Sequence, residues 1–297
     1  MQPIQLIPQA PFNHLQALWF QLTGTLCNLE CSHCFIACSP TNQQLKFLSP
    51  DTVYAYLEEA VQLGVREVYF TGGEPFLHKQ IVSILTHALT VAPTTVLTNG
   101  TLITPAMADT LAALEAESRY TLEIRISLDD VDESNNDAVR GRGALAKALR
   151  ALKLLYARGM TPIVAVTEYF YASEAPSEPS GMGSGFYQKF RDFLLANGIN
   201  KPRLKIIPVF PIGKMEDSKP MASLVTPQML HGFDFTTLQC TQSRMVADGG
   251  VYACPLLVGE PGARLSTGSL HEALKPCALY HTACHTCYVT GMTCANY

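Results

Sequence analysis

"ALWFQLTGTLCNLECSHC", residues 17–34, is the stretch on which the fold turns. Its first eight residues, ALWFQLTG (17–24), form an apolar, β-prone run. Three cysteines follow, Cys27, Cys31 and Cys34, with three residues between the first pair and two between the second. Such thiols can pair as disulfides, bind zinc, or ligate something more reactive.

Composition narrows the choice. A chain of 297 residues that is 47% apolar suits one large α/β domain with a small appendage. Its 21 basic and 25 acidic side chains give a net charge of -4, with no long basic run. A broad nucleic-acid surface is therefore not expected, although a small anionic substrate is allowed. The stretch MQPIQLIPQAPFNHLQ (1–16) lacks the charged and apolar regions of a secretory signal. No apolar run approaches the roughly 18 residues of a membrane span. The chain thus reads as cytoplasmic, a setting in which ten cysteines point to metal or redox chemistry rather than structural disulfides. Four cysteines lie between 27 and 38, six between 240 and 294, and none in between.

Outward from the opening strand, β-prone and helical patterns alternate. SPDTVYAYLEEAVQLGV (49–65) reads as a helix, with Ser49 as N-cap, Pro50 in the first turn and Gly64 closing it. REVYFTGGEP (66–75) is a strand running into a glycine turn, and KQIVSILTHALT (79–90) a helix. TTVLTNG (94–100) is a strand and turn; TPAMADTLAALEAE (104–117) is a helix capped by Thr104. LEIRISLDD (122–130), ALAKALRALKLLYARG (144–159), PIVAVTEYF (162–170), YQKFRDFLLANG (187–198) and RLKIIPVFP (203–211) continue as strand, helix, strand, helix, strand. Six such units predict a parallel sheet with right-handed crossovers, either an open sheet or a partly closed barrel. In both cases the site belongs at the C-terminal ends of the strands. The Ser-, Gly- and Pro-rich stretch 171–185 reads as a surface insertion or as a lid over substrate.

Three cysteines make a poor structural zinc site, which usually takes four protein ligands, unless Cys38, His33 or the tail supplies the fourth. On a [4Fe–4S] cube they would hold three irons and leave the fourth open to a small chelating ligand.

Taken together, CNLECSHC (27–34), YFTGGEP (69–75), RISLDD (125–130) and DAVRG (137–141) resemble the motifs of radical S-adenosylmethionine (radical SAM) enzymes. The resemblance runs from about residue 17 to 212. It implies an α/β fold, the partial (β/α)6 barrel of that family. It also implies that Cys27, Cys31 and Cys34 hold a [4Fe–4S] cluster, whose open iron is chelated by the methionyl amino and carboxylate groups of SAM. Gly72 and Gly73 would let the backbone approach the amino group, Glu74 would accept its hydrogen bond, and Pro75 would stiffen the turn. Ser127 and Arg140 would bind the methionyl carboxylate or ribose, Asn99 the ribose, and His33 would lie near the adenine. The implied chemistry is reductive cleavage of SAM to a 5′-deoxyadenosyl radical, which abstracts hydrogen from substrate. The implied electron donor is of the flavodoxin or ferredoxin type.

The tail reads CTQSRMVADGGVYACP (240–255), then Cys277, then CHTCYVTGMTC (284–294). Cys240 and Cys254 flank a glycine turn that fits a hairpin, and Cys284 and Cys287 form a CxxC pair. By spacing alone these four suit zinc or a second iron–sulfur cluster. The tail resembles the SPASM and shorter twitch domains, which carry auxiliary [4Fe–4S] clusters, although it has six cysteines where a full SPASM domain has seven. The expected site is one auxiliary cluster on Cys240, Cys254, Cys284 and Cys287, with Cys277 and Cys294 as alternative ligands. The expected division is an extension at 1–16, the barrel at 17–213, a linker at 214–235 and the cluster domain at 236–297.

The function expected is a radical SAM oxidoreductase acting on a small molecule or a short peptide, with the auxiliary cluster binding substrate or accepting an electron. The alternatives are a non-oxidative radical SAM enzyme and a non-catalytic iron–sulfur or zinc protein. With no extra N-terminal domain to grip a leader peptide, the reading leans towards a small substrate or a separately presented peptide. Cys38 reads as a buried thiol or a catalytic one, and His78 as structural.

Overall fold

The computed structural model describes residues 7–169, 185–218, 223–291 and 294–295. The main sheet is built from β2 (Ala17–Gln21), β3 (Glu67–Thr71), β4 (Thr94–Thr98), β5 (Leu122–Leu128), β6 (Ile163–Thr167) and β7 (Arg203–Ile207), lying in that order and all parallel. The helices α1 (Pro50–Gln62), α2 (Ile81–Val91), α3 (Pro105–Glu117), α4 (Glu133–Arg140), α5 (Ala144–Tyr156) and α6 (Gly185–Ala196) make the crossovers. The helix starts expected from the sequence are present. Ser49 accepts a hydrogen bond from the Thr52 N–H and Thr104 one from the Met107 N–H, and each is followed by a proline in the first turn. The 171–185 stretch lies outside the described residues except for Gly185, which opens α6.

Strand parity decides what faces the site. Successive side chains of a strand point to opposite faces. Leu18, Phe20, Val68, Phe70, Val96, Ile124, Ile126, Val164 and Val166 therefore bury together under the helices. The residues between them, Trp19, Tyr69, Leu97, Arg125, Ser127, Ala165 and Lys205, turn to the opposite, concave face. There Trp19 stacks on Tyr69 with ring centroids 4.1 Å apart.

The sheet does not stop at β2. β8 (Ser243–Ala247) pairs with it in parallel, Ala17 opposite Ser243, so the cysteine-bearing tail contributes to the same sheet. β9 (Gly250–Tyr252) folds back antiparallel on β8 through the Asp248–Gly249 turn, as the hairpin pattern predicts, and β10 (Arg264–Ser266) adds to β9. Beyond these come α7 (Leu270–Ala273), β11 (Cys277–Ala278) and α8 (Thr282–Thr290). The N-terminal β1 (Gln9–Ala10) pairs with β11, Ala10 opposite Cys277. Among the described residues no helix is long and apolar enough to cross a membrane.

Candidate functional site

The loop after β2 carries the first cysteines to the C-terminal ends of the strands. It is pinned by the Cys27 N–H donating to Ser39 O (3.1 Å) and by the Ser32 N–H donating to Val139 O (3.0 Å). Cys27, Cys31, Cys34 and Cys38 all line one cleft of about 1270 Å3, open to solvent. Its walls come from the concave face: Trp19, Leu97, Arg125, Ser127, Ala165 and Met245. Burial pushes the Cys27 thiol up to about 12, so the free thiol is held neutral until a metal draws off its proton. The Cys38 N–H points at the Cys34 sulfur from 3.2 Å. His78 is structural: its Nε2 lies 3.1 Å from Leu48 O, and its Nδ1 accepts the Gln80 N–H.

The GGEP turn after β3 packs directly on the cysteine loop. A Cβ on Gly73 would lie 1.8 Å from Leu26 O, and one on Gly72 2.5 Å from Thr23 Oγ1. Only glycine admits this approach. Pro75 opens a short 3-10 turn, Pro75–Leu77, capped by Glu74. The Glu74 carboxylate is fully buried. Its Oε1 accepts from Thr98 Oγ1 (2.7 Å) and the Phe76 N–H (3.1 Å), and its Oε2 from the Asn99 N–H (2.8 Å). A carboxylate offers about four acceptor positions, so one remains after these three bonds. Burial raises its proton affinity, and the pKa stands at about 7 despite those donors. The Asn99 side chain donates to Asn28 Oδ1 (2.9 Å) and accepts from Thr101, which ties the turn after β4 to the cysteine loop.

At the end of β5, Asp129 joins two other predicted residues. His33 Nε2 lies 2.7 Å and Arg140 Nε 2.6 Å from its Oδ2. Asp129 is fully buried. Burial alone would raise its pKa, but the Arg140 and His33 charges hold it down to about 2. His33 also packs beside Tyr169, ring centroids 5.6 Å apart. Asp129 was within the RISLDD motif, but nothing local marked it as the partner of a histidine 96 residues away. Lys214, near a predicted strand end, pairs with Glu30 at 3.0 Å.

The tail has its own apolar pocket, about 540 Å3 of empty space that is partly open to solvent. All six of its cysteines line it: Cys240, Cys254, Cys277, Cys284, Cys287 and Cys294. Cys294, Pro255 and Leu256 line the barrel cleft as well, so the two spaces share a wall. Arg125 holds that wall, its Nη1 donating to Cys294 O (2.7 Å), and Lys205 donates to Ala295 O. Sequence reasoning missed both cations, although the parity of LEIRISL already sets Arg125 on the face of Ser127. Among the described residues no three His, Cys, Asp or Glu side chains converge on a single-ion position.

The sequence profile of the radical SAM superfamily matches residues 22–171. The chain belongs to the radical SAM superfamily. A probable GTP 3′,8-cyclase of Methanosarcina mazei is 30% identical over 145 residues, covering 46% of this chain and 41% of that protein. The mycofactocin maturase MftC of Mycolicibacterium smegmatis is 35% identical over 136 residues, covering 46% and 33%. The chain thus spans well under half the length of these relatives. The crystal structure of Streptococcus suis SuiB bound to its precursor peptide SuiA shares the fold, with a TM-score of 0.61 at 16% identity over 84% of this chain and 62% of that one.

Membership in the radical SAM superfamily implies an enzyme with a [4Fe–4S] cluster and SAM. The residues present fit these groups. Three thiols share one cleft, the glycine turn brings backbone against their loop, and buried Arg140 supplies a cation beside them.

Proposed function

We propose that this chain is an oxidative radical SAM enzyme that acts on a short peptide. The observation that carries the reading is the wall at Pro255, Leu256 and Cys294, common to the barrel cleft and the tail cavity. It supports the reading because a centre ligated by the tail sulfurs would lie next to the space where substrate would react, as removal of an electron from substrate requires. When bound, the cluster and SAM supply one-electron cleavage and hydrogen-atom abstraction.

The chain's own residues do the rest. Cys27, Cys31 and Cys34 would hold the SAM cluster, and Cys38 lines the same cleft with its N–H directed at the Cys34 sulfur. Gly72, Gly73 and Pro75 shape the turn that faces the methionyl end, and the remaining acceptor position of Glu74 takes the amino group. Arg140 and Ser127 face the carboxylate or ribose, Asn99 the ribose, and His33 the adenine. Cys240, Cys254, Cys284 and Cys287, with Cys277 and Cys294 as alternative ligands, hold one auxiliary [4Fe–4S] cluster. The apolar walls exclude water and competing hydrogen donors. The Trp19 indole N–H is buried in that wall with no hydrogen-bond partner among the described residues, and would donate to a substrate carbonyl.

A peptide suits this cleft better than a nucleoside triphosphate. Of the two cleft arginines, Arg140 is paired with Asp129 and assigned to SAM, Arg125 donates to Cys294 O, and the remaining lining is largely apolar. The precursor peptide bound by Streptococcus suis SuiB is in keeping with this.

Anaerobic reconstitution with iron and sulfide, then incubation with SAM and dithionite, tests the reading. The expected result is 5′-deoxyadenosine from the native chain and none from a Cys27→Ala/Cys31→Ala/Cys34→Ala variant. Cleavage by that variant would sink the assignment. With a candidate peptide, oxidation predicts a product two hydrogen atoms lighter; a product of unchanged mass points to epimerisation or rearrangement.

A further inference from the structure

Arg244 lies in β8 and is fully buried. Its Nε donates to Ala273 O (2.7 Å), its Nη1 to Cys240 O (2.7 Å) and Ser243 O (2.7 Å), and its Nη2 to Lys275 O (2.6 Å). Its Cζ stands 4.0 Å from the centre of the Phe12 ring. Every one of these acceptors is neutral. Among the described residues no carboxylate lies within ion-pair distance of it.

This is an unusual situation for a guanidinium. The group stays protonated at any ordinary pH, so it cannot shed its charge when buried. Backbone carbonyls and an aromatic face satisfy its hydrogen-bonding capacity but not its net charge. An uncompensated charge in the interior is strongly unfavourable. An anion should therefore lie close by.

The structure says where. The guanidinium grips the backbone of Cys240 itself and that of Lys275, two residues before Cys277. It sits between the two chain segments that deliver Cys240 and Cys277 to the tail cavity. Burial opposes its charge, whereas negative charge on Cys277, Cys240 or Cys254 would support it. Six neutral thiols, or disulfides, would leave the cation bare. Thiolates bound to an iron–sulfur core carry net negative charge and would neutralise it.

We propose that Arg244 is the buried counter-ion of an anionic iron–sulfur cluster in the tail cavity, and that its charge raises the reduction potential of that cluster. This rests on the auxiliary-cluster reading above. The physical reason is that the reduced cluster is the more negative form, and a nearby fixed cation in a low-dielectric interior favours it. Arg244 acts through charge and through the backbone of its neighbours, so it is a positioning residue and not a ligand.

The test uses the full chain carrying Cys27→Ala, Cys31→Ala and Cys34→Ala, so that all bound iron belongs to the tail. Iron and sulfide are counted, and the midpoint potential is measured by EPR-monitored redox titration, in this parent and with Arg244→Gln or Arg244→Lys added. Both substitutions disrupt the guanidinium fork, but only the glutamine removes the charge. The expected result is a potential shifted to more negative values for Arg244→Gln and one near the parent for Arg244→Lys. Loss of iron from the glutamine variant alone also supports the charge role. Equal shifts, equal loss of iron in both, or an unshifted glutamine variant would overturn it. A parent that binds no iron instead overturns the auxiliary-cluster reading itself.

Discussion

Glu74 shows how one residue can serve two ends. Its carboxyl organises the turn after β4 by accepting from Thr98 and Asn99. Its burial also makes the charged form costly when no cation is near, which is why the pKa stands at about 7 against 4.5 for the free group. A folded pKa raised above the unfolded one means that the stability is fully present below the unfolded value, near 4.5. It is lost as pH rises through about 7. The shift corresponds to roughly 3 kcal/mol. Denaturant midpoints of the cluster-free protein should therefore fall between pH 5 and pH 8 by more in the native chain than in Glu74→Gln, which cannot ionise. Parallel pH profiles for the two proteins would show that Glu74 does not titrate in this window. A positively charged amino group placed at the free acceptor position would remove the penalty, so the same carboxyl is poised to favour a cationic ligand.

At the scale of elements, the turn after β3 and the loop after β2 fit as one unit. Gly73 is the contact point, since any Cβ there would meet the Leu26 carbonyl at 1.8 Å, one residue before Cys27. Backbone cannot yield as a side chain can, so Gly73→Ala should push the cysteine loop outward. Iron bound after reconstitution should drop by the equivalent of one cluster per chain, while far-UV circular dichroism stays close to native. Full iron content in that variant would show that the loop has slack. The same unit explains what the sequence could reveal. The CxxxCxxC and GGEP spacings are local, as are the caps at Ser49 and Thr104, and the repeating strand–helix pattern needs only short-range periodicity. The bridge from His33 to Asp129 and Arg140 needs two distant strand ends to meet. So does the alignment of Ala17 with Ser243, which a hairpin-like GGVYAC pattern does nothing to announce. Such registers follow from packing of the whole sheet.

At the scale of the whole molecule, barrel and tail share their structure at several points. β8 extends the parallel sheet beyond β2, with Trp19 opposite Met245. β1 pairs with β11 from the far side of the tail. Arg125 and Lys205 fasten the Cys294–Ala295 backbone to the barrel interior, and Glu59 of α1 accepts the Leu270 N–H at the start of α7. A tail that folded by itself would leave the β2 edge open and the concave aromatic stack exposed. The cluster-free chain should therefore unfold in a single guanidinium transition. Trp19 is its only tryptophan and sits at the seam, so its fluorescence reports on the junction while circular dichroism reports on the barrel helices. The two curves should coincide, as two-state unfolding demands. A chain ending at residue 235 should lose that cooperative transition, because removing β8 takes away a whole strand partner and the Met245 side of the Trp19 environment. If instead the fluorescence curve precedes the circular dichroism curve, or the shortened chain keeps a sharp transition, the barrel stands without the tail. The wall at Cys294 would then be a docking contact between independent units. A single transition would make the distance between the two sulfur-lined spaces a fixed property of the fold.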